Sequence, residues 1–98
     1  MSGPRFRRRP DVLWRRSLDA VVLLPAVAEE PVTLLGTGPE LWELLAEPRT
    51  LEDLAEVLAG LHGVDPAVVR ADVAPVLADL VALVTVEEVA DSGGRKPA

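Results

Sequence analysis

Val32-Thr-Leu-Leu-Gly-Thr-Gly-Pro-Glu-Leu-Trp-Glu-Leu-Leu-Ala46 changes its period at the centre. Up to Leu35 it is a short apolar run of strand type, whereas after Gly36 the apolar residues Leu41, Leu44 and Leu45 recur on one face of a helix. The helix is expected from about Pro39 to Ala46, with Pro48 ending it. A phosphate-binding loop does not fit the corner, because Gly36 and Gly38 flank a single residue and no GxGxxG or GK[ST] follows. Thr37 and Glu40 instead stand as T-x-x-E, the spacing of a capping box. The corner therefore reads as a strand running into a helix.

Upstream, Val12-Leu-Trp-Arg-Arg16 and Ala20-Val-Val-Leu-Leu24 are short runs of strand character separated by Ser17-Leu-Asp19, which suits a hairpin. Three short strands thus precede the first helix. Downstream, Thr50 and Asp53 repeat the capping spacing, and Leu51, Leu54, Leu58 and Leu61 form the stripe of a second helix that His62-Gly63 closes. A third helix opens at Asp65 with Pro66 in its first turn, and its stripe runs through Val69, Val73, Val76, Leu80 and Leu83 or Val84. Pro75 lies inside that helix and is expected to bend it. Val84-Thr-Val-Glu-Glu88 suits a short extended end. Residues 1–10 are expected to be a disordered basic arm, 11–90 the folded domain and 91–98 a disordered tail.

With 98 residues the chain is expected to be one domain without room for a deep catalytic cleft. It has no cysteine, which excludes disulfides and thiolate metal sites, and its longest apolar run, Ala20 to Ala28, is too short for a membrane span. These features fit a cytoplasmic protein without a membrane partner. The net charge is −6, yet residues 17–94 carry only Arg49 and Arg70 against fifteen of the sixteen acids. Such a body repels nucleic acid, and the arginine-rich arm reads as a solvated tail. Catalysis lacks its usual groups: there is one His and no Tyr, and the single Lys lies in the tail. His62 sits where a cation complements a helix dipole, and Glu29-Glu30 and Glu87-Glu88 are sequence neighbours that point to opposite sides of an extended segment. Glu52, Asp53 and Glu56 line an exposed helix face, so no metal site and no cofactor are expected. Trp42, one position off its stripe, and Trp14, on the first strand, both read as packing residues.

Three short strands cannot close a barrel, so the sheet keeps an edge. Its third strand, Val32 to Leu35, is apolar on both faces. A strand edge beside an apolar helix is the geometry for β-augmentation, unless the third helix packs over the edge and leaves no room.

The ordered set of Val12, Trp14 and Arg15, then Leu23-Leu24, the Gly-Thr-Gly corner, Trp42 and Leu45, then Thr50-Leu51, Leu54 and Leu58, then Val64-Asp65, Val69, Asp72-Val73, Leu77, Leu80 and Leu83-Val84 resembles the PqqD-like family. That family comprises recognition elements for precursors of ribosomally synthesised, post-translationally modified peptides (RiPPs). The resemblance spans about residues 11–86 and implies an α+β winged helix-turn-helix, with three N-terminal antiparallel strands followed by three helices. It also implies a noncatalytic, cofactor-free module that binds the leader segment of a precursor peptide as an added strand and presents it to a modifying enzyme, such as a leader protease or radical enzyme. The implied peptide-binding groove is Val32, Thr33, Leu34 and Leu35 on one side and Val69, Asp72, Val73, Val76, Leu77 and Leu80 on the other. Lasso peptide, radical-enzyme and quinone-cofactor pathways all use such modules. Three positions depart from the family pattern: Leu18-Asp19-Ala20 in place of a Leu-Asp-Gly turn, Ala82 in place of a frequent glycine, and Pro75. The alternative is a winged-helix DNA-binding regulator with the third helix in the major groove, but that helix offers Asp65, Asp72 and Asp79 against Arg70 alone.

Overall fold

The computed structural model describes residues 3–89. In chain order the elements are β1 (Arg5–Arg8), β2 (Leu13–Ser17), β3 (Ala20–Leu24), β4 (Val32–Leu34), α1 (Gly38–Leu44), β5 (Arg49–Thr50), α2 (Leu51–His62), α3 (Pro66–Ala82) and β6 (Val86–Val89). The result is an α+β fold in which the three strands read from the sequence, β2, β3 and β4, make an antiparallel meander in that order. Period-two alternation sends Val21 and Leu23 of β3 into the core beside Leu34 of β4, with Val21 paired to Leu34. Onto that face pack Leu41, Trp42 and Leu45 from around α1, Leu54 and Leu58 from α2, Val73, Leu77 and Leu80 from α3, and Val86. Each fully buried leucine contributes about 1.5–3 kcal/mol, so these few side chains dominate the stability of so small a domain.

The helix boundaries follow local chemistry in most places. Thr50 and Asp53 form the expected reciprocal capping box, Gly63 adopts φ 66° at the end of α2, and the Asp65 carboxylate accepts from the Ala67 amide at the start of α3. The Thr37 and Glu40 capping box does not form: Thr37 makes no side-chain cap. Glu40 instead places its carboxylate 2.6 Å from Nε2 of His62, tying α1 to the end of α2. The stripe of α2 is also rotated from the expected one, since Ala55 and Ala59 join Leu54 and Leu58 inside while Leu61 is 63% exposed. Small side chains on the buried face let α2 and α3 lie close, and tertiary contact outranks side-chain size in choosing that face. In α3 the helix continues through Pro75, and the Ala71 carbonyl that loses its i+4 donor belongs to an exposed residue. Val76 and Val84, expected in its stripe, are 38% and 44% exposed.

The leading arm departs most from expectation. Arg5–Arg8 is a strand, central in a second antiparallel sheet of order β5-β1-β6, with Arg5 paired to Val89 and Arg8 to Val86. The tail at 91–98 lies outside the described residues. The strand persists because its arginines find partners on the body. Arg7 Nε donates to Glu87 at 2.8 Å, and Arg9 reaches both Glu87 and Asp11. The bond from Arg9 holds the exposed Asp11 carboxyl below its ordinary value. The Arg8 guanidinium stacks 4.8 Å from the centroid of Trp14 and 5.5 Å from that of Trp42, while donating to the Trp42 carbonyl. The two indoles meet edge to face at 5.9 Å. Composition alone marks four arginines in the first nine residues as a solvated tail, whereas planar cations on aromatic faces are a form of burial.

Two local tests follow. The α3 terminus makes a Schellman pattern, with Val84 N–H bonded to Val81 and Thr85 N–H to Leu80, and Val84 takes φ 60°, where a β-branched residue is strained. Val84→Gly is therefore expected to stabilise the fold by about 1 kcal/mol, seen as a thermal midpoint raised by roughly 4–8 °C. Arg8→Ala is expected to lower stability by about 1–2 kcal/mol in denaturant unfolding, with Arg8→Lys recovering less than half, because an ammonium does not stack on two indoles as a guanidinium does.

Candidate functional site

Among the described strands β4 pairs with β3 alone, which leaves its other edge open. Leu34 anchors β4 in the core, Val32 is half-buried and Thr33 is exposed, so the strand is held by one face while its outer rim faces solvent. Alongside it a hollow of about 160 Å³ is lined by Thr33, Leu34, Leu35, Thr37, Gly38, Leu41, Asp72, Val73 and Val76. That is the scale on which an apolar cavity accepts a benzene-sized group. Its floor is Leu34, Leu41 and Val73, all less than a tenth exposed, and its rim carries Leu35 at 67% and Val76 at 38% exposure.

Of the ten residues expected in a groove, Thr33, Leu34, Leu35, Asp72, Val73 and Val76 come together here. Val32 and Val69 are half-buried and do not line the hollow, and Leu80 is spent on the core. Leu77 is buried too and lines a different concavity. The period of α3 explains the split, since residues 73, 77 and 80 lie on the stripe that faces the core and 69, 72 and 76 on the neighbouring stripe.

Thr37, Gly38 and Leu41 were not expected in the site. They come from the glycine corner, and the signal for them was the pair of glycines itself. Gly36 adopts φ 63°, and a Cβ added at Gly38 would stand 2.9 Å from the Cβ of Leu34. Gly38 thus lets the start of α1 sit directly on β4 and form the end wall of the hollow.

The charge around the hollow has one sign. Among the described residues Asp72 is the only charged one in its lining, and Glu29 and Glu30 are exposed just before β4. Arg70, the cation of α3, turns away and bonds Glu52 at 2.7 Å. That ion pair belongs to the larger concavity of about 530 Å³, on the other side of α3, whose walls include Phe6, Leu51, Ala74, Leu77 and Val81. Size alone does not make it the primary site, because the edge strand that it borders, β5, is two residues long with Thr50 buried, and so offers a peptide fewer main-chain groups than β4. No group of three or more His, Asp or Glu side chains positioned for a metal occurs among the described residues, and no described helix is long and apolar enough to cross a membrane.

The fold and the hollow together define a small α+β domain that offers a free strand edge beside a helix. The family model for coenzyme PQQ synthesis protein D (PqqD) matches residues 20–83, and the chain belongs to that family. Among solved structures, it is similar to the PqqD truncation of PqqCD from Methylobacterium extorquens, determined by solution NMR and described as a functional, stand-alone RiPP recognition element. The two share 26% identity over 85% of this chain and 88% of that one, with a TM-score of 0.68. No curated protein matches the chain.

The end wall gives a direct check on the site's construction. Gly38→Ala is expected to push Leu34 away and cost about 1–3 kcal/mol of stability, with amide shifts concentrated in residues 32–41 of an NMR spectrum. Gly60→Ala, in open space on the exposed face of α2, is expected to stabilise by about 0.5–1 kcal/mol instead.

Proposed function

We propose that this domain binds the leader segment of a ribosomally synthesised precursor peptide as a strand added to β4, and presents the rest of the precursor to a separate modifying enzyme. The observation that carries the reading is the open β4 edge beside the hollow formed with α3. A peptide lying there bonds to the strand through its main chain and drops a side chain between Leu35 and Val76. Membership of the PqqD family, and the description of the Methylobacterium relative as a recognition element, support the same reading. The domain's part is noncatalytic and cofactor-free: it tethers, raising the local concentration of substrate at an enzyme such as a leader protease or a radical enzyme. We read α2 and α3, joined through Gly63, as the helix-turn-helix of a winged fold put to peptide rather than DNA binding. Exposed Asp65, Asp72 and Asp79 on α3, with Arg70 already bonded to Glu52, oppose a phosphate backbone.

The test is a calorimetric titration of the full chain with the leader half of a precursor encoded beside its gene, with duplex DNA in a parallel run. Saturable peptide binding is expected. Leu35→Asp is expected to weaken it about tenfold or more while leaving the melting temperature within a degree or two, because Leu35 is exposed and holds no part of the core. Absence of binding by every neighbouring short peptide, or sequence-specific binding of DNA, contradicts the proposal.

A further inference from the structure

The chemistry of the groove narrows the kind of peptide it takes, given the reading above. Its apolar floor has room for one benzene-sized side chain, and the charge that its wall carries is that of Asp72. Asp72 stands in the lining, exposed and without an ion-pair partner among the described residues, and Asp79 follows it by seven residues, two helical turns along the same face of α3. Glu29 and Glu30 stand at the approach to β4. The nearby cations are engaged or distant: Arg70 bonds Glu52 on the other side of α3, Arg16 bonds Glu43, and Arg15 belongs to β2, two strands from the open edge.

We propose that the docking segment is a cationic strand: one aliphatic or aromatic anchor for the hollow floored by Leu34, Leu41 and Val73, with a Lys or Arg two residues from it that pairs with Asp72. Side chains two apart on a strand share a face, so a single extended segment presents anchor and cation to α3 together. Asp72, with the exposed acids near it on α3 and before β4, then attracts the approaching peptide and disfavours acidic ones, setting specificity and association rate more than total affinity. Asp72 is a specificity residue here, and the strand edge and the hollow supply the binding itself.

The experiment uses the full chain and two short fluorescein-labelled peptides that share one apolar anchor and differ only in the residue two positions from it, on the same face of the strand, which is Lys in one and Glu in the other. The Lys peptide is expected to bind about tenfold more tightly by fluorescence anisotropy at low salt, with amide shifts at Thr33 to Leu35 and at Asp72. Raising the salt is expected to narrow the preference, and Asp72→Lys to abolish or invert it. Asp72→Asn, the gentler variant of this exposed residue, is expected to reduce it without changing the melting temperature. Equal binding of the two peptides, a preference for Glu, binding of neither, or a preference untouched by Asp72→Lys overturns the proposal. If the genome-encoded leader nonetheless binds at β4 without salt or charge dependence, only the cationic specificity is lost and peptide recognition stands; if that leader fails as well, both are lost.

Discussion

The 2.9 Å that would separate a Cβ at position 38 from the Cβ of Leu34 is the constraint on which the candidate site depends. Because residue 38 is glycine, α1 begins directly against β4, with Leu41 placed on the floor and Trp42 sealed into the core. Leu34 is then held from both sides and fixes the inner face of β4, which leaves the strand's outer edge as its free hydrogen-bonding side. A larger residue at 38 separates helix from strand and closes or tilts the hollow. The corner that resembles a phosphate loop thus has a steric role: Gly36 supplies a left-handed turn, and Gly38 supplies close approach.

The elements legible in the sequence were those whose causes are local. Thr50 with Asp53, Gly63 and Asp65 with Pro66 act within four residues, and they mark the ends of α2 and the start of α3 correctly. Local signals failed where a distant partner competed. Glu40 forgoes the cap at Thr37 because His62 stands 2.6 Å away, and β1 exists because Glu87 and Trp42 lie near it in space but far along the chain. In α2 the leucine spacing points to Leu61, yet Ala55 and Ala59 take the buried face because they allow the closer approach to α3.

Site residues were legible to the same extent. Residues of β4 and the 72/73/76 part of α3 line the hollow, while Leu77 and Leu80 are core. A stripe read from sequence merges the face of a helix turned to the core with the face beside it; only packing separates them. The strained backbone positions are Leu18 at φ 53° and Val84 at φ 60°, each two residues from a departure from the family pattern, Ala20 and Ala82, rather than at it. Neither lies in the hollow, so their strain affects stability rather than recognition.

The central claim is that a peptide joins this fold as a strand at β4. Amide hydrogen exchange, followed residue by residue with the genome-encoded leader bound and free, tests it most directly. The outward-facing amides of Val32 to Leu35 are expected to gain protection on binding, while those of β2 at the opposite edge of the sheet stay unchanged. Protection confined to β2, to the Phe6–Val81 side of α3, or absent from β4 would contradict the account.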